Sequence, residues 1–169
     1  MTDLLTKSEI LENLTENFDV ILFDEIDSTN LYLKKLAREG AEEGTIVIAD
    51  SQTLGRGRFD RKFHSPKNCG IYMSILLKPT FHPKEAVLIT AAAAVAVSLA
   101  IEKLTEKETK IKWVNDVLID NKKICGILTE MVLKGTEIDF VVIGIGINVN
   151  NKNFPEEIVQ TASSLSLEL

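Results

Sequence analysis

The sequence predicts an α+β fold: a mixed, largely antiparallel β-sheet with helices packed on it. Three observations carry this. Runs with strand character crowd together after one long apolar helical stretch, instead of alternating regularly with helices. Short polar turns at Asn115-Asp116, Asn121-Lys122 and Lys134-Gly135 join successive runs closely enough to pair them. A chain of 169 residues, 45% hydrophobic and 26% charged, suits one domain with a substantial core.

Taken in order, Thr6–Asn17 spaces Ile10, Leu11 and Leu14 as a short amphipathic helix. "VILFDEI" (Val20–Ile26) is a strand. "DSTN" (Asp27–Asn30) supplies N-cap residues for a helix carrying Leu31, Leu33 and Leu36 that stops at Gly40. Ser28 and Thr29 read as caps, although hydroxyls at a helix N-terminus also serve polar ligands. "TIVIADSQ" (Thr45–Gln52) is a strand that feeds directly into "GRGRFDRKF" (Gly55–Phe63), and "GIYMSILLK" (Gly70–Lys78) is the next, bounded by Pro79. His82-Pro83 opens a long helix to about Leu104. Its greasiest run, Val87–Ile101, falls short of the ~20 residues that span a bilayer and reads as a buried helix. The rest is β: "KIKW" (Lys110–Trp113), "VLID" (Val117–Asp120), "KICGILTEMVL" (Lys123–Leu133) and Glu137–Asn150.

The formal net charge is −6 and the pI is near 5.0, which argues against a general nucleic-acid binder. The charge is uneven. Residues 1–50 hold twelve acids against four bases, whereas residues 52–84 hold seven bases and one acid. A positive island in a negative protein points to a local anionic ligand. Cys69 and Cys125 lie far apart and read as small core hydrophobes, and the isolated His64 and His82 give no transition-metal pattern. The N-terminus has no signal-peptide pattern, so a cytoplasmic protein without a membrane partner is expected.

The arginine loop carries the strongest local signal. Gly55 and Gly57 open backbone conformations closed to other residues, so that amides can approach an anion. Arg56, Arg58 and Arg61 offer forked donors that match phosphate oxygens. The loop is neither a Walker A nor a GxGxxG fingerprint. Its composition alone leaves open a solvated loop, a phosphate clamp and a nucleic-acid grip. In "KWVND" (Lys112–Asp116), a lysine within a strand is costly to bury unless an anion meets it; the alternative is an edge-strand lysine with its head in water. Gly144 and Gly146 of "GIGIN" mark either close approach of a ligand or a packing notch.

Taken in order, "DSTN", "GRGRFDRKFHSP", "KWVND", "KKICGILTE" and "GIGINVN" resemble the catalytic domain of biotin–protein ligases. The resemblance runs from about Phe23 to Asn150, with "SSL" (Ser163–Leu165) as a fainter trailing match. It implies a class II synthetase-like biotin/lipoate ligase fold over residues 1–169. It also implies an enzyme that uses ATP and Mg²⁺ to join biotin to one lysine of a carboxylase carrier domain, through biotinyl-5′-AMP. Lys112 and Arg58 would be catalytic, with Lys112 touching both the biotin carboxylate and the α-phosphate. Ser28, Thr29, Asn30, Gln52, Gly55, Arg56 and Gly126 would join Lys112 around biotin, where the ureido group needs both donors and acceptors. Arg56, Arg58, Arg61, Phe63, Asn115, Lys123 and Asn148 would join it around the nucleotide. For Mg²⁺ the resemblance names no ligands; Asn115 and Asp116 are candidates.

The chain departs from the family pattern at Asp60, where glycine is usual, at Phe63, where tryptophan is usual, and at Val114, where proline is usual. No N-terminal DNA-binding domain and no C-terminal small β-barrel are expected within the chain, so DNA is not an expected partner; a homodimer stays open. The alternatives are a lipoate or octanoate ligase or transferase of the same fold, and a decayed homologue that binds the biotin adenylate.

Overall fold

The computed structural model describes residues 6–13 and 18–169. Thr6 caps helix α1 (Lys7–Glu12): its hydroxyl accepts from the Glu9 amide, and Glu9 reaches back to the Thr6 amide. No residue of α1 is buried. Leu14 and the rest of the predicted helix to Asn17 lie outside the described residues.

The elements that follow are β1 (Val20–Ile26), α2 (Thr29–Arg38), β2 (Ile46–Gln52), β3 (Gly70–Leu77), α3 (Ala86–Thr105), β4 (Lys110–Lys112), β5 (Asp116–Ile119), β6 (Lys122–Lys134), β7 (Glu137–Asn148) and α4 (Leu165–Glu168). Seven strands make one sheet in the order β1-β2-β3-β7-β6-β5-β4. Only β1 and β2 pair in parallel, because α2 connects them; the other pairs are antiparallel. The mixed, largely antiparallel sheet is therefore as predicted, while strand ends shift by one or two residues: β5 takes in Asp116 and leaves Asp120 to the turn, β4 stops short of Trp113, and β7 ends at Asn148 rather than Asn150. Asp120 (φ 47°) and Asn121 (φ 66°) take the left-handed conformations that a tight β5–β6 hairpin requires.

Side-chain alternation gives the sheet two covered faces. On one, Leu33 and Ala37 of α2 pack with Val47, Leu76, Phe140 and Val142. On the other, Ile89, Ala94, Val97 and Ile101 of α3 pack with Val117, Ile127, Val141, Ile143 and Ile145. Central β7 is apolar on both sides for this reason, and its sequence shows a near-continuous apolar run instead of alternation.

Helix α3 departs from the expectation of a buried helix. Six of its 20 residues are buried, while Leu88, Val95 and Leu99 are 58%, 47% and 60% exposed. A short 3₁₀ turn (Pro83–Glu85) precedes it, and the whole Pro83–Thr105 stretch is long and apolar enough to cross a membrane by length and composition. Between Glu85 and Glu102 no charged side chain marks an outer face, so residue type could not separate the packed stripe from the free one. The stripes differ energetically. Ile101→Ala, at a core position, is expected to cost roughly 2–5 kcal/mol in urea unfolding, and Leu99→Lys, on the outer stripe, less than about 0.5 kcal/mol. Equal losses would mean that the outer stripe is packed as well.

Candidate active site

The site is built on a floor without side chains. Gly126 of β6 pairs directly with Gly146 of β7, and Gly144 pairs with Ser74 of β3 on one side and Leu128 of β6 on the other. A methyl group at Gly144 would collide with the Asn30 amide, one at Gly146 with the Phe63 ring, and one at Gly126 with the Lys123 side chain. Three glycines on adjoining strands thus seat one residue from α2, one from the arginine loop and one from the β5–β6 hairpin.

Two adjoining hollows open above this floor. The narrower, about 450 Å³, is lined by Ser28, Thr29, Asn30, Gln52, Arg56 and the glycine floor. The broader, about 1380 Å³, is lined by Arg61, Lys112, Trp113, Asp116 and Asn148 among others. Arg58, Phe63, Asn115 and Lys123 border both.

Hydrogen bonds knit the narrow hollow together. Gln52 Oε1 accepts from the Thr29 amide (2.9 Å) and hydroxyl (3.1 Å), and Gln52 Nε2 donates to Ser65 (3.0 Å). Ser74 lies 2.8 Å from the Thr29 hydroxyl and 2.6 Å from Asn30 Oδ1. Asn30 Nδ2 donates to Glu130 (2.9 Å), which also meets Lys34 (2.8 Å) and Arg56 (3.5 Å). Burial pushes the Glu130 carboxyl up, yet the hydrogen bonds from Lys34 and Asn30 and the charges of Lys34 and Arg56 together hold it below the ordinary carboxylate range. In the broad hollow, Arg58 donates to Asn115 Oδ1 (2.8 Å), and Lys123 pairs with Asp116 (2.8 Å). Among the described residues Arg58, Arg61 and Lys112 make no ion pair.

The sequence model of the biotin/lipoate A/B protein ligase family matches residues 22–148. The chain belongs to this family. It is 43% identical over 167 residues to the bifunctional ligase/repressor BirA of Bacillus subtilis, covering 96% of this chain and 51% of that protein. To the biotin–[acetyl-CoA-carboxylase] ligase of Mycobacterium tuberculosis it is 36% identical over 143 residues, covering 82% of this chain and 51% of that one. The chain spans about half the length of these relatives. The biotin protein ligase from Aquifex aeolicus in complex with biotin and ATP matches the fold with a TM-score of 0.70 at 36% identity, over 89% of this chain and 61% of that chain. This agrees with the predicted biotin/lipoate ligase fold.

Against the family expectations, Ser28, Thr29, Asn30, Gln52, Arg56 and Gly126 do gather at the narrow hollow. Gly55 lines neither hollow, and Arg56 borders only the narrow one, Lys112 only the broad one. Lys112 is exposed on edge strand β4, which fits the edge-strand alternative. Asn30 and Asn148 border the hollows, but both side chains are engaged by the protein, Asn148 by donating to the Ser163 carbonyl (3.0 Å). Ser28 makes no side-chain cap bond to α2, and the Thr29 hydroxyl turns to Gln52, so neither is the simple cap their position suggested.

The loop corrects a further expectation. Gly55 is needed for close approach, since a methyl group there would lie 2.5 Å from Ser65 Oγ, and Gly57 has an extended backbone (φ −120°, ψ −174°). The left-handed conformations fall instead on Phe59 (φ 56°) and Asp60 (φ 57°). Three loop amides bond within the loop, Gly57 to the Arg61 carbonyl (2.7 Å), Arg61 to the Arg58 carbonyl (3.2 Å) and Phe63 to the Gly55 carbonyl (2.9 Å), and so are not turned toward an anion. Cys125 is buried as expected, and burial pushes its thiol up to about 12; Cys69 is only half-buried.

As to magnesium, the described residues contain no cluster of three or more His, Cys, Asp or Glu side chains. Asn115 Oδ1 accepts from Arg58, and Asp116 is held by Lys123 and by the Asn115 amide (2.9 Å). As placed, the two candidates do not build a magnesium site. Glu130, Lys34 and Ser74 escaped the sequence reading, although "KKICGILTE" ends on Glu130 and Ser74 is the one serine in its apolar strand. The floor is directly testable. Gly144→Ala should force Asn30 off its seat and cost roughly 1–3 kcal/mol in urea unfolding, as overpacking does; an unchanged midpoint would show that the notch is not filled.

Proposed function

We propose that this chain is the catalytic domain of an ATP-dependent biotin–protein ligase, which joins biotin to a lysine of a carboxylase carrier domain. One observation carries the reading. A narrow hollow rich in paired donors and acceptors opens into a broad one bordered by Arg58, Arg61 and Lys112, which make no ion pair among the described residues. The first suits a ureido ring and the second a nucleotide, and the Aquifex aeolicus structure named above is a complex with biotin and ATP. We also place it in the cytoplasm, where ATP is supplied, and its low pI argues against DNA as a partner.

On this reading a carboxylate oxygen of biotin attacks the α-phosphorus of ATP. The bond from that phosphorus to the pyrophosphate oxygen breaks, giving biotinyl-5′-AMP and pyrophosphate. The uncharged ε-amine of the carrier lysine then attacks the anhydride carbonyl, AMP leaves with the bonding pair, and the nitrogen gives up its extra proton. The first step brings two anions together, so its barrier depends on positive charge already in place. Lys112 on edge strand β4 and Arg58 and Arg61 on the loop, all lining the broad hollow, supply it. Arg56 and Lys123 are already matched by Glu130 and Asp116. Lys123 therefore reaches phosphate only by leaving Asp116. Ser28, Thr29, Gln52 and the backbone near Gly55 and Arg56 read the ureido group, the Gly126 strand flanks the biotin tail, and Phe63 covers it. Asn115 presents Arg58 to the phosphates, and Asn148 shapes the wall beside the adenine.

The decisive experiment is transfer of biotin to a carrier domain in the presence of ATP, with lipoate as control. Biotin transfer is expected, and lipoate transfer instead would select the lipoyl reading. Lys112→Ala should slow biotin-dependent pyrophosphate exchange by roughly 10²–10³, as loss of one such charge does; near-normal exchange would exclude the role. Asp60→Gly removes both a negative charge near the phosphates and a side chain from a left-handed position. ATP binding by titration should tighten at low salt, and the gain should shrink as salt screens the charges; weaker binding would give Asp60 a positive role in the loop.

A further inference from the structure

Glu130 lies on β6 with its side chain 20% exposed, and its carboxylate faces α2 and Arg56 rather than the open part of the hollow. We propose that Glu130 is a positioning residue that sets the hydrogen-bond polarity of the narrow hollow, and thereby makes the hollow demand a ligand with an N–H donor. The proposal rests on reading that hollow as the biotin site.

The polarity follows from counting protons. An ionised carboxylate has none to give, so each of its neighbours must donate. Asn30 therefore turns its NH₂ toward Glu130 (2.9 Å), which leaves Oδ1 facing Ser74 (2.6 Å) above Gly144. Lys34 and Arg56 keep the carboxylate charged, and so keep the amide turned this way. The other end is set independently. The Ser65 hydroxyl donates to the Phe63 carbonyl (3.1 Å), so it accepts from Gln52 Nε2, and Gln52 Oε1 must face Thr29.

Between these two carbonyl oxygens stand the hydroxyls of Thr29 and Ser74. The row Gln52 Oε1, Thr29 Oγ1, Ser74 Oγ, Asn30 Oδ1 has three gaps, of 3.1, 2.8 and 2.6 Å, and two hydroxyl protons to fill them. When Thr29 donates to Gln52, Ser74 can serve either Thr29 or Asn30. One of these acceptors is left over at a place where Thr29, Asn30 and Ser74 are 3%, 4% and 0% exposed. Thr29 and Asn30 both border the hollow, so a ligand N–H can serve whichever Ser74 does not. The ureido ring of biotin carries two N–H groups; the dithiolane ring of lipoate has none. Asn30 Nδ2 also makes a longer bond to the Leu128 carbonyl (3.4 Å), so Glu130 is the shorter and charged of its two acceptors. An amide in place of the carboxylate removes the stronger hold and lets Asn30 turn over, at the loss of that long bond, and donate to Ser74. The row would then be complete without a ligand, and the demand for a donor would disappear.

The test is calorimetric titration of the whole chain with biotin and with lipoate. Glu130→Gln should weaken biotin binding by about tenfold or more, leave lipoate binding unchanged, and raise the KM for biotin in pyrophosphate exchange with little change in kcat. Adding Asn30→Asp restores a group that can only accept toward Ser74, with the new glutamine donating to it, and should recover most of the lost affinity. Unaltered biotin binding in Glu130→Gln, or no recovery in the double variant, would overturn the proposal. If the wild type binds no biotin, the biotin reading itself fails. The role of Glu130 is then judged from the Asn30 side-chain amide signals in NMR spectra of the free protein. They should move and exchange faster in Glu130→Gln, and identical signals would overturn the role.

Discussion

The arrangement of the site depends on three missing side chains. Gly126, Gly144 and Gly146 lie on the α2 face of β6 and β7, near the centre of the sheet where the backbone is held by ladders on both sides. Because the floor cannot move away, any methyl group there must displace what rests on it. Asn30, Phe63 and Lys123 come from three distant stretches of sequence, and all use this depression. It brings the helix, the loop and the hairpin to one place, and the two hollows form around their meeting point. Glycine in an apolar strand weakens the strand. Here burial of β7 on both faces offsets that cost, with Val141 and Val142 fully buried on opposite sides.

Charge is divided with equal economy of space. Cations nearest the floor, Lys34, Arg56 and Lys123, are each paired with Glu130 or Asp116, and those on the rim are not. The pattern follows solvation. Lys34 and Glu130 are 16% and 20% exposed, where an unpaired charge is costly. Lys112 is exposed, and water can solvate it until an anion arrives. His64 adds nothing at neutral pH, since burial lowers its pKa. Unpaired positive charge therefore gathers where the broad hollow opens, while Arg56 and Lys123 at the narrow hollow are each matched by a carboxylate.

The sequence disclosed the sheet better than the helices, and the motif positions better than their roles. Strands β1 to β7 were legible because β-branched runs ended at turns with local chemistry, such as Asn121 and Gly135. The outer stripe of α3 was not, because alanine and valine occupy both its faces and the outer one carries leucine as well. The family resemblance assigns Ser28, Thr29 and Gln52 to one polar ligand, whereas residue type alone reads Ser28 and Thr29 as helix caps. Glu130 could not be assigned, because its significance lies in contacts to residues 30, 34 and 56 that only the fold brings near. The same holds for Gly55 and Gly57. Their presence signalled a special backbone, whereas what Gly55 supplies is room beside Ser65, and the left-handed turn fell on Phe59 and Asp60.

That displacement explains how the loop serves both hollows at once. Two backbone bonds across its neck, Phe63 to Gly55 and Gly57 to Arg61, pair Arg56 with Lys62 and make it a small hairpin. A hairpin transmits displacement from base to tip better than an open loop, because its two sides cannot slide independently. At the base, Phe63 rests on the glycine floor of the narrow hollow; near the tip, Arg58 stacks on Phe59 and reaches Asn115 across the broad one. One stiff hairpin thus carries both the ring that fills the glycine floor and the guanidinium that bonds Asn115. Asp60, held in a left-handed turn at the tip, contributes to that stiffness more directly than a glycine would.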